Sequence, residues 1–156
     1  MEPRSKGRGG LMDGREDGAG SSRRCGVTGG DDVPVLDSGP LQTLANEVGP
    51  AFAQAFIDDF LQMLPGRAAK ILHGLAGGDL RAARDAVVSL RATSAMAGAL
   101  RLERCCQELE LRIRRGQRLD PLAVKAVLYA NIRLLVREAA RQGHIQQSRA
   151  QGRAPE

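Results

Sequence analysis

The chain has 156 residues, of which 3% are aromatic, and a formal net charge of +5 at neutral pH. This length accommodates one domain with a tail, and a core built mainly of Leu, Val, Ile and Ala suits packed helices better than a β-sandwich. No apolar run approaches the roughly 18 residues that span a membrane, and the first ten residues lack an apolar signal segment, so we expect a cytoplasmic protein.

Glycine dominates the first 33 residues, which hold nine of the 19 glycines and almost no periodic apolar positions. Such a segment buries too little surface to offset its ordering entropy. We therefore predict a disordered tail over residues 1–33, a helical domain over 34–143 and a disordered polar tail over 144–156.

Two helical segments separated by a glycine–proline break follow the tail. Residues 40–48 open with a proline, which is favoured in the first turn of a helix, and Gly49-Pro50 ends them. Residues 50–64 carry the three phenylalanines at four-residue spacing, which predicts a buried face. That face consists of Phe52, Phe56, Phe60 and Leu64. Pro65-Gly66 then predicts a kink or a restart before a further helix over 67–76.

Three more helices are predicted downstream, each delimited by capping residues. Asp79 is the predicted N-cap of a helix that ends at Gly98. The next helix covers 100–115, and the last begins after Asp120, with proline at its first position, and runs to about residue 142. The predicted inward positions of the three helices are Leu80, Ala83, Val87, Leu90, Ser94 and Ala97; Leu102, Cys106, Leu109 and Ile113; and Val124, Val127, Leu128, Leu135 and Ala139.

The fold class that these elements predict is all-α. No alternating strand pattern competes with the helical periodicity, and the short connections favour antiparallel neighbours. We therefore expect an up-and-down four-helix bundle with a short leading N-terminal helix.

The three cysteines are predicted to be reduced thiols. Cys105 and Cys106 are neighbours on one helix, so their side chains point about 100° apart and are poorly placed to bridge each other. An odd number of cysteines without an export signal is typical of a reducing compartment. Cys106 is expected to be an inert core thiol, whereas a redox role for Cys105 would require a lowered pKa. With no second cysteine pair, we expect no zinc site, no other metal and no cofactor.

The two helices after Asp79 carry a pattern that resembles the histidine-containing phosphotransfer (Hpt) domain, a resemblance that covers about residues 34–118. The family's motif reads roughly Ala-His-x-Leu-Lys-Gly-Ser-Ser, then Gly-Ala, then Leu-x-x-x-Cys-x-x-Leu-Glu. The corresponding residues here are Val87-Val88-Ser89-Leu90-Arg91-Ala92-Thr93-Ser94, Gly98-Ala99, Leu102, Cys106, Leu109 and Glu110. Upstream, the residues that also stand where the family places them are Leu36-Asp37, Phe60, Leu64-Pro65 and Gly78-Asp79.

The resemblance implies a protein of phosphorelay (two-component) signal transduction that is not itself an enzyme. In that family an exposed histidine accepts a phosphoryl group and passes it to an aspartate on a receiver domain, a lysine stabilises the phosphoryl charge, and a glycine leaves room for the approaching receiver. Here Val88 replaces the histidine, Arg91 the lysine and Ala92 the glycine. Because valine has no lone pair, the resemblance implies a degenerate member that docks a response-regulator receiver domain or a histidine kinase, as an adaptor or a competitor.

The helical periodicity identifies a candidate docking surface around the substituted position. Five residues share a strip that lies outside the buried stripe of the same helix: Arg84, Val88, Arg91, Ala92 and Ala95. The last four follow the first by four, seven, eight and eleven residues, which places all five on one side of a helix. The alternative is that Val88 merely widens the buried stripe.

A displaced phosphorylation site at His73 is a further alternative function. His73 is offset from the neighbouring apolar positions, so it is expected at the surface. Ala76 and Gly77 occupy the positions three and four residues further on, so the lysine of the motif is absent. His144 lies in the polar end of the chain and is expected to be solvated.

Positive charge is concentrated in residues 41–156, which hold 17 Lys/Arg against 11 Asp/Glu. Such a surface attracts nucleic acid or an acidic protein, or is simply solvated. The clusters are Arg112, Arg114, Arg115 and Arg118 at one helix end, and Arg133, Arg137 and Arg141 at four-residue spacing. A basic nucleic-acid-binding module is therefore an alternative, but Tyr129 alone makes no stacking platform, and we do not expect nucleic acid as the partner.

Overall fold

The structure is a computed structural model in which residues 32–145 are described. The predicted tails lie almost wholly outside this range. Five helices were found within it: α1 (Gly39–Val48), α2 (Pro50–Ala76), α3 (Leu80–Ala97), α4 (Leu100–Arg114) and α5 (Pro121–Arg141). None of the helices between residues 32 and 145 is long and apolar enough to cross a membrane.

The helices form the all-α bundle predicted from the sequence. Helices α2, α3 and α4 pack consecutively against one another, and α5 closes the bundle by contacting both α4 and α2. The short helix α1 packs on α2 and α3. All five helices therefore surround one core of Leu, Ile, Val, Ala and Phe side chains, together with both cysteines of α4.

The capping residues begin and end the helices where the sequence predicts. The Asp79 carboxylate accepts a hydrogen bond from the Ala82 amide at 3.0 Å, and Asp120 accepts one from the Leu122 amide at 3.1 Å. Each bond satisfies an amide that the first helical turn leaves without a backbone partner. These caps fix the start of α3, which carries the candidate docking surface, and the start of α5.

Helix α2 is continuous through Pro65, so the predicted restart with a separate helix over 67–76 was wrong. A proline inside a helix removes one backbone hydrogen bond and costs about 3 kcal/mol. Here Leu64, Ala68 and Ile71 are all completely buried and stay in helical phase across Pro65, which is itself exposed. Burial of this face on both sides of the proline outweighs the local cost.

Some of the predicted core positions are exposed. The Phe52 side chain is 57% exposed, because the buried stripe of α2 passes through Ala53 and Ile57 instead. Leu80 is 44% exposed. Arg91 of α3 and Glu110 of α4 are in contact and so lie at the same level of the bundle. From this level α3 extends about 16 Å back to Leu80, whereas α4 extends only about 6 Å beyond Glu110 before it ends. Leu80 therefore lies beyond the end of α4.

In α5 four of the five predicted inward positions are buried, namely Val124, Leu128, Leu135 and Ala139, and two positions that were not predicted join them. Val127 is only half-buried, whereas Asn131 and Ile132 are buried. The Asn131 side-chain amide donates to the Val127 carbonyl at 2.9 Å, so this buried polar group is satisfied within its own helix. An asparagine in a core position was not predicted from a pattern of apolar residues.

The segment before α1 is hydrogen-bonded to the end of α3, the start of α4 and the end of α5. The Asp37 backbone amide donates to the Gly98 carbonyl at 2.8 Å. The Arg101 guanidinium donates to the Val33 carbonyl at 2.8 Å, and the Gln142 side-chain amide donates to the Leu36 carbonyl at 3.1 Å. The Leu36 side chain is buried. This leading segment therefore covers the end of the bundle where α3 meets α4.

Candidate functional site

The exposed side of α3 carries the five residues that the sequence identifies as a docking surface. Arg84 and Ala92 are exposed, whereas Val88, Arg91 and Ala95 are half-buried. The buried stripe of the same helix is separate, and its residues are Ala83, Val87, Leu90, Ser94 and Ala97. Val88 thus lies at the margin between core and surface. We call the set Arg84, Val88, Arg91, Ala92 and Ala95 the Val88 face.

Arg91 is held against the neighbouring helix. Its Nε donates to Glu110 Oε1 on α4 at 3.0 Å, and the Glu110 side chain is only 13% exposed. The pair joins α3 to α4 beside Val88, and the carboxylate compensates the charge of the guanidinium. Arg91 therefore does not offer an uncompensated cation at this face.

A second link lies on the opposite flank of α3. The Arg67 Nη1 atom on α2 donates to Ser89 Oγ at 2.6 Å. Thr93, one turn further along, donates its hydroxyl to the Ser89 carbonyl at 3.1 Å. Sequence reasoning missed Arg67, because the predicted break at Pro65 obscured the fact that α2 continues alongside α3.

Exposed methionines add an apolar component next to the Val88 face. Met96 on α3 is 54% exposed and follows Ala92 by one helical turn, and Met63 on α2 is 47% exposed. Methionine is enriched in protein interfaces because its flexible thioether adapts to different partners. Met96 and the alanines of the Val88 face form an uncharged part of the surface of α3, and Met63 lies beside Arg67 on the neighbouring helix.

The two thiols of α4 are buried in the core. Burial, with a smaller contribution from Glu108, raises the pKa of the Cys105 thiol to about 12. Burial also raises the pKa of Cys106, with the neighbouring Cys105 thiol as the next contributor. A thiol becomes a nucleophile only as the thiolate. The structure therefore gives no support to a redox role for Cys105.

Neither histidine lies on α3, the helix that carries the Val88 face. His73 is exposed near the C-terminal end of α2, as the sequence predicts. His144 is half-buried rather than fully solvated, and it lines a pocket with Leu41 of α1 and Gln54 of α2. The Gln54 amide donates to the His144 carbonyl at 3.1 Å, which holds this end of the chain against α2. Within residues 32–145, no group of three or more His, Cys, Asp or Glu side chains could hold a metal ion.

A comparison with models of protein families identifies the family to which the bundle belongs. The model of the Hpt domain matches residues 55–143, which is more than half of the chain. The chain therefore belongs to the Hpt domain family, whose members carry phosphoryl groups in phosphorelays and interact with receiver domains and histidine kinases. The Val88 face lies inside the matched span, whereas α1 and the segment before it lie outside. Comparisons with curated proteins and with solved structures found no match.

Proposed function

We propose that this chain is a non-phosphorylatable Hpt domain that acts in the cytoplasm as a docking module for a receiver domain or a histidine kinase. It competes with phosphotransfer or scaffolds it. The observation that carries the proposal is Val88, which stands on α3 in the position that the sequence resemblance assigns to the phospho-accepting histidine. The family model matches residues 55–143, which include this position.

The chemistry of the Val88 face supports the absence of a phosphoryl acceptor. A phosphoryl acceptor needs a lone pair, as an imidazole nitrogen provides, and an aliphatic side chain has none. The hydroxyls of Ser89 and Thr93 on the same helix are engaged in hydrogen bonds with Arg67 and with the α3 backbone, and that of Ser94 is buried. Arg91, in the position of the family's lysine, is paired with Glu110.

The shape and charge of the same surface support docking. Ala92 and Ala95 let a partner approach the α3 backbone closely, and Met63 and Met96 provide exposed apolar contacts. Arg84, one turn before Val88, is exposed and makes no ion pair with any residue between 32 and 145, so it can attract an acidic partner. A receiver domain, whose phosphorylation site is an aspartate, presents such chemistry.

Phosphotransfer assays test the missing reaction. Purified receiver domains are phosphorylated with radiolabelled acetyl phosphate and incubated with the wild-type protein and with Val88→His. We expect no acid-labile label on the wild type and transfer of label to Val88→His from at least one receiver, because an imidazole at this position restores the nucleophile. Label on the wild type that disappears in His73→Ala or His144→Ala would contradict the proposal.

Binding assays test the docking surface separately. Ala92→Arg places a bulky cation in the middle of the Val88 face and is expected to weaken the binding of that receiver, or of a histidine kinase, by at least about tenfold. Ala130→Arg, at an exposed alanine of α5, is the matched control and should bind as the wild type does. Equal binding of both variants would move the interface away from α3.

A further inference from the structure

Positive charge is concentrated where α4 joins α5. Five basic side chains occur within residues 112–125: Arg112, Arg114, Arg115, Arg118 and Lys125. The acidic residue among them is Asp120, whose carboxylate caps α5 by accepting the Leu122 amide. We call these five basic residues the basic turn.

The basic turn has no internal counter-charge. Arg112 is half-buried, the other four side chains are exposed, and none of the five forms an ion pair within the described part of the chain. Three other arginines are paired, namely Arg91 with Glu110, Arg104 with Asp32 and Arg141 with Glu138, whereas Arg84, Arg133 and Arg137 have no ion pair among the described residues. The charges of the basic turn are therefore available to a partner.

Helix stability explains only part of this arrangement. Cations in the last turn of a helix interact favourably with its dipole, which accounts for Arg112 and Arg114 at the end of α4. Arg118 lies in the connecting segment, outside both helices. Lys125 lies in the second turn of α5, where the helix dipole does not stabilise a cation.

Exposed leucines lie among these cations. Leu122, in the first turn of α5, is 73% exposed, and Leu111, near the end of α4, is 45% exposed. The bundle topology brings Leu80, which is 44% exposed at the start of α3, to the same end of the molecule. Single exposed apolar residues are normal on a protein surface, but three large ones at the end of the bundle that also carries five unpaired cations favour a protein interface.

We propose that the basic turn, with Leu111 and Leu122, docks an acidic protein segment that carries apolar side chains. Nucleic acid fits less well, because a phosphate backbone offers no apolar partner for the leucines and no aromatic side chain lies in residues 111–125 for base stacking. The surface is distinct from the Val88 face, so this proposal does not depend on the function of that face.

Synthetic peptides test the chemistry of the partner. The probe is a fluorescent amphipathic peptide of about 18 residues, or five helical turns, composed of Glu and Leu; a second peptide has every Leu replaced by Ser. Duplex DNA of similar length is the third ligand. We expect the Glu/Leu peptide to bind with an affinity that falls with salt, and the Glu/Ser peptide to bind at least about fivefold more weakly. Equal or tighter binding of the Glu/Ser peptide or of DNA would overturn the proposal in favour of a general polyanion site.

Charge-reversal variants locate the surface. Arg114→Glu/Arg115→Glu is expected to weaken binding of the Glu/Leu peptide about tenfold or more. Arg133→Glu/Arg137→Glu makes the same charge change at exposed arginines of α5 that have no ion pair among the described residues, and it should bind nearly as the wild type does. Equal weakening by both pairs would show that only net charge matters and would overturn the assignment.

A leucine variant and a variant of the Val88 face complete the test. Leu122→Ser should weaken the Glu/Leu peptide but not the Glu/Ser peptide, and Ala92→Arg should affect neither. If the wild type self-associates and Leu122→Ser abolishes that self-association, the surface binds a second copy of the chain and the proposal is overturned. Weaker peptide binding by Ala92→Arg would also overturn it, because the peptide would then bind on α3.

Discussion

Gly98 is a single residue on which the end of the bundle depends. It ends α3 in the left-handed conformation, with φ of +82°, and its carbonyl accepts the Asp37 amide. A Cβ atom on Gly98 would lie 2.1 Å from the Asp37 carbonyl oxygen. The glycine therefore serves both the helix end and the close approach of the leading segment.

Substitution at Gly98 should cost more than the left-handed backbone alone. Gly98→Ala is expected to lower the free energy of unfolding by at least about 2 kcal/mol, because the leading segment must move. Gly116 is the matched control, with φ of +71° and open space within 4 Å of where a Cβ atom would lie, so Gly116→Ala should cost only about 1 kcal/mol. Urea denaturation of both variants measures the difference. Equal losses would mean that the contact with Asp37 contributes nothing.

For the Val88 face, the sequence predicted which residues of α3 share the surface, but not which side chains on other helices they contact. The resemblance stated from the sequence predicts that positions 88, 91 and 92 depart from the motif of the family. The pairing of Arg91 with Glu110 could not be predicted, since it depends on how α3 and α4 are rotated about their own axes. The contact of Arg67 with Ser89 depends likewise on the continuity of α2.

Helix α2 contains two glycines in very different surroundings. Gly66 is exposed, and a Cβ atom there would meet nothing within 4 Å. Gly74 is buried, and a Cβ atom there would lie 2.8 Å from the Ala83 backbone nitrogen of α3. Gly74 is thus where the two helix backbones approach each other closely.

The same substitution should therefore have opposite effects at the two positions. Gly66→Ala is expected to stabilise the protein by about 0.5–1 kcal/mol through helix propensity. Gly74→Ala gains the same propensity but forces α3 away, and a net loss of about 1–3 kcal/mol is expected. Thermal and urea unfolding of the pair check this, with each variant acting as the control for the other. Stabilisation by Gly74→Ala would show that the two helices can separate at no cost.

Helix ends were more predictable than helix interiors. Asp79 and Asp120 begin helices for a reason contained in a few neighbouring residues, namely a carboxylate that accepts an unpaired amide. Pro65 also acts locally, but whether it breaks α2 depends on burial of Leu64 and Ala68 by other helices. Phe52 shows the same limit, because its four-residue spacing with the other phenylalanines does not reveal which side of α2 the bundle covers.

The last turn of α5 ties the end of the bundle together through Glu138. A hydrogen bond from the Arg141 side chain, with a smaller contribution from one donated by Gln142, lowers the pKa of the Glu138 carboxyl from 4.5 to about 2. The Gln142 side-chain nitrogen lies 2.9 Å from the Glu138 carboxylate and also donates to the Leu36 carbonyl. The ionisation of one carboxylate is thereby connected to the position of the leading segment.

Stability should therefore fall in acid through this group. Because the folded-state pKa is lower than the unfolded one, the contribution of Glu138 is complete above about pH 4.5 and is lost as the pH falls towards about 2. The wild type should exceed Glu138→Gln in stability at neutral pH, and the difference should shrink over this range in urea titrations. Arg137→Gln, at an exposed arginine one position away with no ion pair in residues 32–145, is the control. A difference that is constant from neutral pH to acid would contradict the linkage.

The contacts of the leading segment bring both ends of the described chain to one end of the bundle. Leu36 accepts a hydrogen bond from Gln142, and Asp37 donates one to the turn between α3 and α4. A short linker between residues 33 and 144 would therefore close the backbone, and new termini could open at Gly77-Gly78, at the other end of the molecule. Such a circular permutation keeps every helix in place. It would also move any attached fusion partner from beside α1 to the end of the bundle that carries the basic turn.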